Sequence, residues 1–264
     1  MSTSVAKAYA NTVRKNQKVL YAVWEPGLSV ELGDYGTMKG NIFEPLGNIR
    51  EIEALKDFKI TTRLDPTQDE KTFTSQKGVE YKLIPKASAS VQGVPVNASI
   101  EFKFSEENAV FFNAAGCVFE MIENKHQLGQ KILEIFRDDD TVWNRDFVLV
   151  TALVHAKRAL ILVSTSSDFA IGFEAKAEIP AINLASASLD LNLKFQNSSG
   201  YKVNAEEGLI PLIGLGKIQR KTIFHSNEFG ALDASSHKSA APSGKGEYVL
   251  EFDDYTSNKE AGKD

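Results

Sequence analysis

The feature that most constrains this chain is a strict alternation of apolar and polar residues over positions 94–104. The even positions are apolar: Val94, Val96, Ala98, Ile100, Phe102 and Phe104. A repeat of two residues is typical of a β-strand with one buried face. The polar run 105–108 predicts a turn, and 109–122 predicts a more apolar return strand. The interval 91–122 therefore predicts an antiparallel β-hairpin.

A second interval, 147–179, has the same organisation. The apolar run 147–164, which contains Val148 and Val150, predicts one strand, and the polar run 165–168 predicts a turn. Alternation then resumes, with Phe169, Ile171 and Phe173 on one face. Further strands are predicted at 187–195 and 201–205, and the apolar, Gly-rich run 208–217 predicts either a strand or a loop. The interval 147–179 is thus predicted to be a second long amphipathic hairpin.

Two helices are predicted beside these strands. Near the N-terminus, apolar residues recur at helical spacing from Val5 to Val13, with Ser4 as a plausible N-cap. At 124–137, Leu128, Ile132 and Ile135 share one side of a second helix. The fold class predicted is α+β, with a twisted antiparallel sheet and packed helices.

Composition excludes several classes of protein. The chain has 264 residues, 42% hydrophobic and 25% charged, which is typical of a globular protein. Its one cysteine, Cys117, excludes an internal disulfide framework, favours a reducing compartment and is predicted to be a buried small apolar residue. The net charge of −5 argues against bulk nucleic-acid binding. We find no signal-peptide pattern and expect a cytoplasmic protein.

Charge differs between the two ends of the chain. Residues 1–24 carry four cations and no acid, whereas residues 225–264 carry four lysines and eight acids. Residues 235–246 lack periodicity and predict a linker or disordered tail. The segment 248–255 is acidic and aromatic, and either stays solvated or docks on the body. We therefore divide the chain into a body, 1–224, and a short acidic C-terminal tail, 225–264.

Motifs for enzyme chemistry are missing from the sequence. The four histidines do not form the HExxH pattern of a zinc protease, and there is no G-x-S-x-G nucleophile motif. The acidic run 138–140 lacks the spaced ligands and closing Glu of a calcium loop, so we interpret it as a solvated turn. We expect no enzyme activity, no catalytic residue, no metal site and no cofactor.

Three segments carry a resemblance to a known family. They are LGDYGTMKGNIFEPLGNI at 32–49, the pair FVLVTALVHAKRALILV and IGFEAKAEI at 147–163 and 171–179, and LASASLDLNLKF with the later GLIPLIGLGKI. Together with the N-terminal helix, these segments resemble the pore-forming domain of the gasdermin family over about 1–224. The short tail resembles that of the small fungal gasdermins, because animal members carry a large helical inhibitory domain instead.

This resemblance implies a protein that oligomerises into a transmembrane β-barrel and causes regulated lytic cell death, in fungi as part of non-self recognition (heterokaryon incompatibility). It implies phospholipid partners, anionic lipids among them, and no nucleic acid. It also implies homo-oligomers or hetero-oligomers with a variant of the same family. The inactive chain is expected in the cytoplasm and the assembled one at the plasma membrane. Activation follows either cleavage of a tail that masks the N-terminal helix, by a protease, or binding of a differing partner.

The strand pattern is compatible with this function on physical grounds. A transmembrane β-strand needs about 9–11 residues of alternating polarity. The predicted wall residues are Val94, Val96, Ile100, Phe102, Phe104, Val148, Val150, Phe169, Ile171 and Phe173. The candidate membrane-binding residues are four cations, Lys7, Arg14, Lys15 and Lys18, and three apolar residues of an early Gly-rich loop, Met38, Ile42 and Phe43. The alternative is a soluble lipid- or ligand-binding α+β module, since any antiparallel sheet with one buried face shows the same alternation.

Overall fold

The computed structural model describes residues 3–75, 77–85, 90–91, 94–95, 98–175, 191–205, 208–220 and 248–252. Its two helices are α1 (Thr3–Asn16) and α2 (Lys125–Asp138), and two 3-10 turns lie at Ile49–Glu51 and Glu53–Leu55. The strands are β1 (Tyr21–Ala22), β2 (Asp34–Lys39), β3 (Ile42–Asn48), β4 (Thr62–Thr74), β5 (Val79–Pro85), β6 (Ser90–Val91), β7 (Val94–Pro95), β8 (Ala98–Phe104), β9 (Val110–Ile122), β10 (Val148–Ala156), β11 (Arg158–Ser164), β12 (Ala170–Ala175), β13 (Leu191–Asn197), β14 (Gly200–Ala205), β15 (Leu209–Arg220) and β16 (Tyr248–Phe252).

The described strands form a large and a small antiparallel sheet. The large sheet has the order β1-β15-β10-β9-β11-β14, and β2, β3, β4 and β16 join it beside this path. The small sheet has the order β13-β12-β8-β5, and β6 pairs with β7 in a short ladder of its own. The predicted α+β class with antiparallel sheets is confirmed.

Both predicted helices are present, and each buries the face that the pattern indicated. Tyr9 and Val13 of α1 are fully buried in a cluster formed with β9, β11 and β15. Leu128 and Ile132 of α2 are fully buried in a second cluster with residues of β2, β3 and β10. Because most helical stability comes from packing of an apolar face, these clusters explain why both segments stay helical.

The predicted pairing within 91–122 and within 147–179 is wrong. β8 lies in the small sheet and β9 in the large sheet, and the same separation holds for β12 and β11. The turns at 105–108 and 165–168 carry the chain from one sheet to the other instead of reversing it within a sheet. A hairpin turn and a crossing between sheets are both flanked by strands of period-two alternation, so the sequence pattern does not distinguish the two kinds of turn.

The hairpins in the structure use other partners. β5 pairs with β8, and β4 pairs with β9, so the first hairpin spans 62–122. β12 pairs with β13, and β11 pairs with β14, so the second spans 158–205. We call them hairpin I and hairpin II. Val148 and Val150, predicted as wall residues, lie instead in β10, between β9 and β15 in the large sheet.

Smaller predictions are also corrected. The strand predicted at 147–164 is interrupted at Lys157, which lies beside Gly116 on β9, and Gly116 has a φ of +60°. Met38, Ile42 and Phe43, predicted in a loop, lie on the paired strands β2 and β3. Val96 lies outside the described residues, as do most of the tail and parts of the strands predicted at 169–179 and 187–195.

Candidate functional site: a folded β-layer and a basic helix face

The two hairpins form one four-stranded layer that is folded in half. In the large sheet the neighbouring strands are β4, β9, β11 and β14, and in the small sheet their continuations β5, β8, β12 and β13 have the same order. We call this unit the folded layer. All four strands cross between the sheets at one place, which we call the fold line: residues 75, 77–78, 105–109, 165–169 and 198–199.

The register between the hairpins does not change across the fold line. Val163 lies opposite Val110 in the large sheet, and Ala170 lies opposite Lys103 in the small sheet. Seven residues separate these pairs on each chain segment. At the fold line itself, the Ser164 N–H donates to the Ala109 carbonyl at 2.9 Å, and the Phe104 N–H donates to the Phe169 carbonyl at 2.8 Å. The central strands therefore form one continuous antiparallel ribbon that is bent, not two independent ladders.

Local backbone conformation explains the bend. Three of the four crossings contain a residue in the left-handed region: Gly78 (φ +85°), Asn108 (φ +62°) and Ser198 (φ +52°). Glycine suits the first position because an added Cβ would lie 2.8 Å from Cβ of Glu106. Left-handed residues redirect an extended chain over a few positions, so the layer turns back on itself here.

Short polar side chains hold the bend in place. The Ser75 hydroxyl donates to the Lys77 carbonyl at 3.0 Å and accepts from the Val110 N–H at 3.1 Å. The Ser164 hydroxyl donates to the Glu106 carbonyl at 2.6 Å and accepts from the Ala109 N–H at 2.9 Å. These bonds satisfy backbone groups that a sheet ladder would otherwise pair.

The two halves of the layer enclose an apolar cluster. We call it the interlayer core, and its buried members are Ile100, Phe102, Phe104, Ala109, Phe111, Leu160, Leu162, Phe169, Ile171 and Phe173. The ring centres of Phe102 and Phe111, one from each sheet, lie 4.7 Å apart. On β8 the opposite face is polar, since Lys103 is exposed and Glu101 is half-buried. Six predicted wall residues, three on each of two adjacent strand segments, thus meet in one interface.

Three of the predicted membrane-binding cations lie on α1, and Lys18 lies in the turn that follows it. Lys7, Lys15 and Lys18 are exposed, and Arg14 is half-buried. The Arg14 guanidinium lies 4.2 Å from the ring centre of Tyr21 and donates to the Lys18 carbonyl, which ties it to the body. The apolar side of α1 is buried, so only its basic face is available to an anionic surface.

The predicted apolar anchors are only partly available. The Asn41 side-chain amide donates to Oδ1 of Asn11 at 2.8 Å, which places the β2–β3 tip beside α1. Met38 and Ile42 near this tip are half-buried, whereas Phe43 is 4% exposed and belongs to the core. The structure therefore brings the tip and the basic face together, but Phe43 is not free to insert elsewhere while the fold is intact.

Several features were missed by the sequence interpretation. The outer strands β4, β5 and β13 were not assigned to the hairpins as partners, although Val79-Glu80-Tyr81-Lys82-Leu83 alternates and was a usable signal. The polar run 65–70, which has no apolar alternation, lies within β4, whose register shifts there against β9. The prediction for Cys117 is confirmed: the thiol is fully buried, and burial raises its pKa to about 11.

No family model and no curated protein matches the chain. Within the described ranges, no helix is both long and apolar enough to cross a membrane. The same ranges contain no cluster of three or more His, Cys, Asp or Glu side chains placed to hold a metal ion.

Proposed function

We propose that this chain is a membrane pore-forming protein whose folded layer opens into transmembrane strands when copies assemble on a bilayer. The observation that supports this most is the continuity of the folded layer: the same strand order and the same central register hold on both sides of the fold line. Straightening the fold line would therefore lengthen existing ladders without exchanging partners. In this proposal the wall consists of hairpins I and II, and β10 with Val148 and Val150 stays in the scaffold.

Strand geometry is compatible with a bilayer. Crossing the hydrocarbon needs about 9–11 residues per tilted strand. The joined segments 98–122 and 158–175 each exceed this length. On β8 the alternation gives one face for lipid, formed by Ile100, Phe102 and Phe104, and one face for water, to which Glu101 and Lys103 belong. On β9 and β11 the face opposite the interlayer core is also apolar and packs against α1, so α1 must leave this face before the layer can open. Lipid cannot satisfy unpaired backbone groups, so an inserted layer must be closed at its edges.

Closure requires several copies. Small barrels need about eight strands, and one chain supplies four. Among the described residues, β4 and β5 form one edge of the layer, and β14 and β13 form the other. Pairing the first edge of one copy with the second edge of the next would close a ring. We therefore propose a homo-oligomer, or a hetero-oligomer with a closely similar chain.

The interlayer core explains why opening depends on a membrane. Each fully buried Phe, Ile or Leu contributes about 1.5–3 kcal/mol relative to exposure to water. Opening the layer in water would lose this contribution at nine positions, whereas hydrocarbon replaces one apolar neighbour by another. The basic face of α1 would first hold the chain near anionic headgroups, at about 1 kcal/mol per cation. The function that follows is lysis, with a cytoplasmic inactive form and an assembled form at the plasma membrane.

The decisive experiment holds the folded layer closed. Lys202 lies opposite Leu162, and Leu193 lies opposite Phe173, so both project from the facing sides of the two sheets near an open edge. Both are exposed. Packed sheets lie about 10 Å apart, whereas nine residues of straight strand span about 30 Å. A reversible thiol bridge about 10 Å long in Leu193→Cys/Lys202→Cys is thus compatible only with the closed layer.

The readout is release of a trapped dye from phosphatidylcholine/phosphatidylserine vesicles, followed by imaging of the membranes for rings. We expect at least tenfold slower release by the bridged chain and full recovery after reduction. The Lys202→Cys chain treated with the same reagent is the matched control and should release dye normally. Equal release with and without the bridge contradicts opening of the layer. Vesicles that bind the unbridged chain but stay sealed favour a lipid- or ligand-binding module instead.

A further inference from the structure

The tail returns to the body as an edge strand of the large sheet. β16 pairs antiparallel with the C-terminal half of β15, with Lys217 opposite Glu251 and Arg220 opposite Tyr248. β1 lies on the same side of β15 as β16 does and pairs only with Leu212 and Ile213. β10 pairs with the opposite side of β15. Segment 216–220 therefore has no other strand on this side among the described residues. β16 also lies next to α2, whereas the masking hypothesis placed the tail on the N-terminal helix.

The connection between these two strands is unusual for a hairpin. Residues 221–247 separate them, whereas hairpin loops have about two to five residues. Residues 235–246 of this connection are rich in Ser, Ala, Lys and Gly and show no apolar periodicity. A strand joined by so long a connection behaves like a tethered ligand, whose advantage over a free copy is only an effective concentration in the millimolar range.

We infer that segment 216–220 is a strand-accepting site that binds the Tyr248–Phe252 segment by backbone pairing, and that this segment exchanges between copies of the chain. An exposed strand edge binds extended peptides because its unpaired N–H and C=O groups form main-chain hydrogen bonds with them. The occupant in trans is the same tail segment of a second copy, since its fit to this edge is already shown in cis. Crowding of copies at a surface brings the competing segment to a concentration comparable with the tether's.

Residue register supplies a direct test in the full-length chain. Lys217 is exposed and lies opposite Glu251, and directly opposed residues of antiparallel strands have Cα atoms about 4.5–5.5 Å apart, which is suitable for a disulfide. The double variant Lys217→Cys/Glu251→Cys reports pairing in cis. A mixture of the two single variants forms mixed dimers only by pairing in trans. The native thiol of Cys117 is fully buried and does not compete.

We expect the oxidised double variant to be mainly a cross-linked monomer. We expect the mixture of single variants to give mixed dimers whose yield increases with protein concentration. The control is a mixture of Glu251→Cys with Lys59→Cys, which places the second thiol at an exposed site elsewhere. The yield of mixed dimers should be at least tenfold above that of this control. Adding Leu250→Pro to the Glu251→Cys chain should remove this excess, since proline cannot pair in a ladder. Lack of the monomer cross-link overturns the strand-accepting site. A cross-linked monomer with mixed dimers only at the control yield overturns the exchange.

Discussion

The packing of Phe102 in the interlayer core predicts how its replacement changes opening of the folded layer. Its ring is fully buried. The centre of this ring lies 4.7 Å from that of Phe111 in the other sheet, 5.8 Å from that of Tyr81 and 6.1 Å from that of Phe173. Replacing a buried Phe by Ala lowers the free energy of unfolding by about 3–5 kcal/mol. If the small sheet can leave the large sheet while the rest stays folded, the full loss applies to that opening. At 1.4 kcal/mol per factor of ten, the open population increases roughly 10²- to 10⁴-fold.

Hydrogen exchange followed by mass spectrometry measures this opening in Phe102→Ala. Peptides from β8 and β12 should exchange faster by that factor, whereas peptides from β10 and α2 should change much less. The matched control is Leu128→Ala, which removes a fully buried side chain of α2 from a different cluster and lowers stability by about 2–5 kcal/mol. That variant should not accelerate β8 and β12 selectively. Equal acceleration of every strand in Phe102→Ala would refute the idea that the layer opens as a separate unit.

Two further predictions concern charge. Reversing three exposed lysines, two on α1 and one just after it, to Glu should weaken cosedimentation with anionic vesicles by about 100-fold or more, because each contributes about 1 kcal/mol. The residues are Lys7, Lys15 and Lys18. Reversing three exposed cations elsewhere, Lys59, Lys131 and Arg145, changes net charge equally and should have little effect; equal losses would exclude the helix face as the contact. Burial, and secondarily Glu25, raises the pKa of Tyr201 to about 12 from its usual 10.0. The fold favours the neutral phenol, so the contribution of Tyr201 to the free energy of unfolding is intact below pH 10 and is lost as pH rises to about 12. The urea midpoint of the Tyr201→Phe chain should therefore decline less over this window than that of the unchanged chain. An equal decline in both chains would contradict this effect.

The sequence predicted element types better than it predicted partners. Alternation located β8 and β12 because one face of each meets the interlayer core and the other meets solvent. Helical spacing located α1 and α2 for the same reason. Both patterns report which faces are buried, and burial is a local property of the sequence. Strand partners depend on where the chain turns, and the polar runs 105–108 and 165–168 are equally suited to a hairpin and to a crossing between sheets.

The candidate site shows the same division. Exposure of Lys7 and Lys15 follows from helical spacing, so the basic face was predictable. The burial of Phe43 was not, because a Gly-rich segment gives no periodic signal for its β2–β3 pairing. The outer strands of the layer were missed for another reason. β4 carries almost no apolar pattern, since residues 62–70 are exposed on both faces of an edge strand.

The exposure of residues 62–70 of β4 on both faces bears directly on the proposed function. A strand that buried its apolar residues on one face would be fixed in the monomer by packing, and a strand edge that remains available favours pairing with another chain. The C-terminal part of β4 packs on the layer, since Lys71 is buried and the Phe73 ring stacks on Phe112 with ring centres 4.4 Å apart. Residues 62–70 meet the layer through the ladder with β9, and their side chains are exposed and mostly polar. Those residues keep the edge soluble in the monomer, and the same edge retains backbone groups that a neighbouring copy can pair. Apolar contacts thus hold the layer folded, whereas backbone pairing at its edges is available for assembly. Because different groups perform these two tasks, a variant such as Phe102→Ala should change opening without removing the edge that assembly requires.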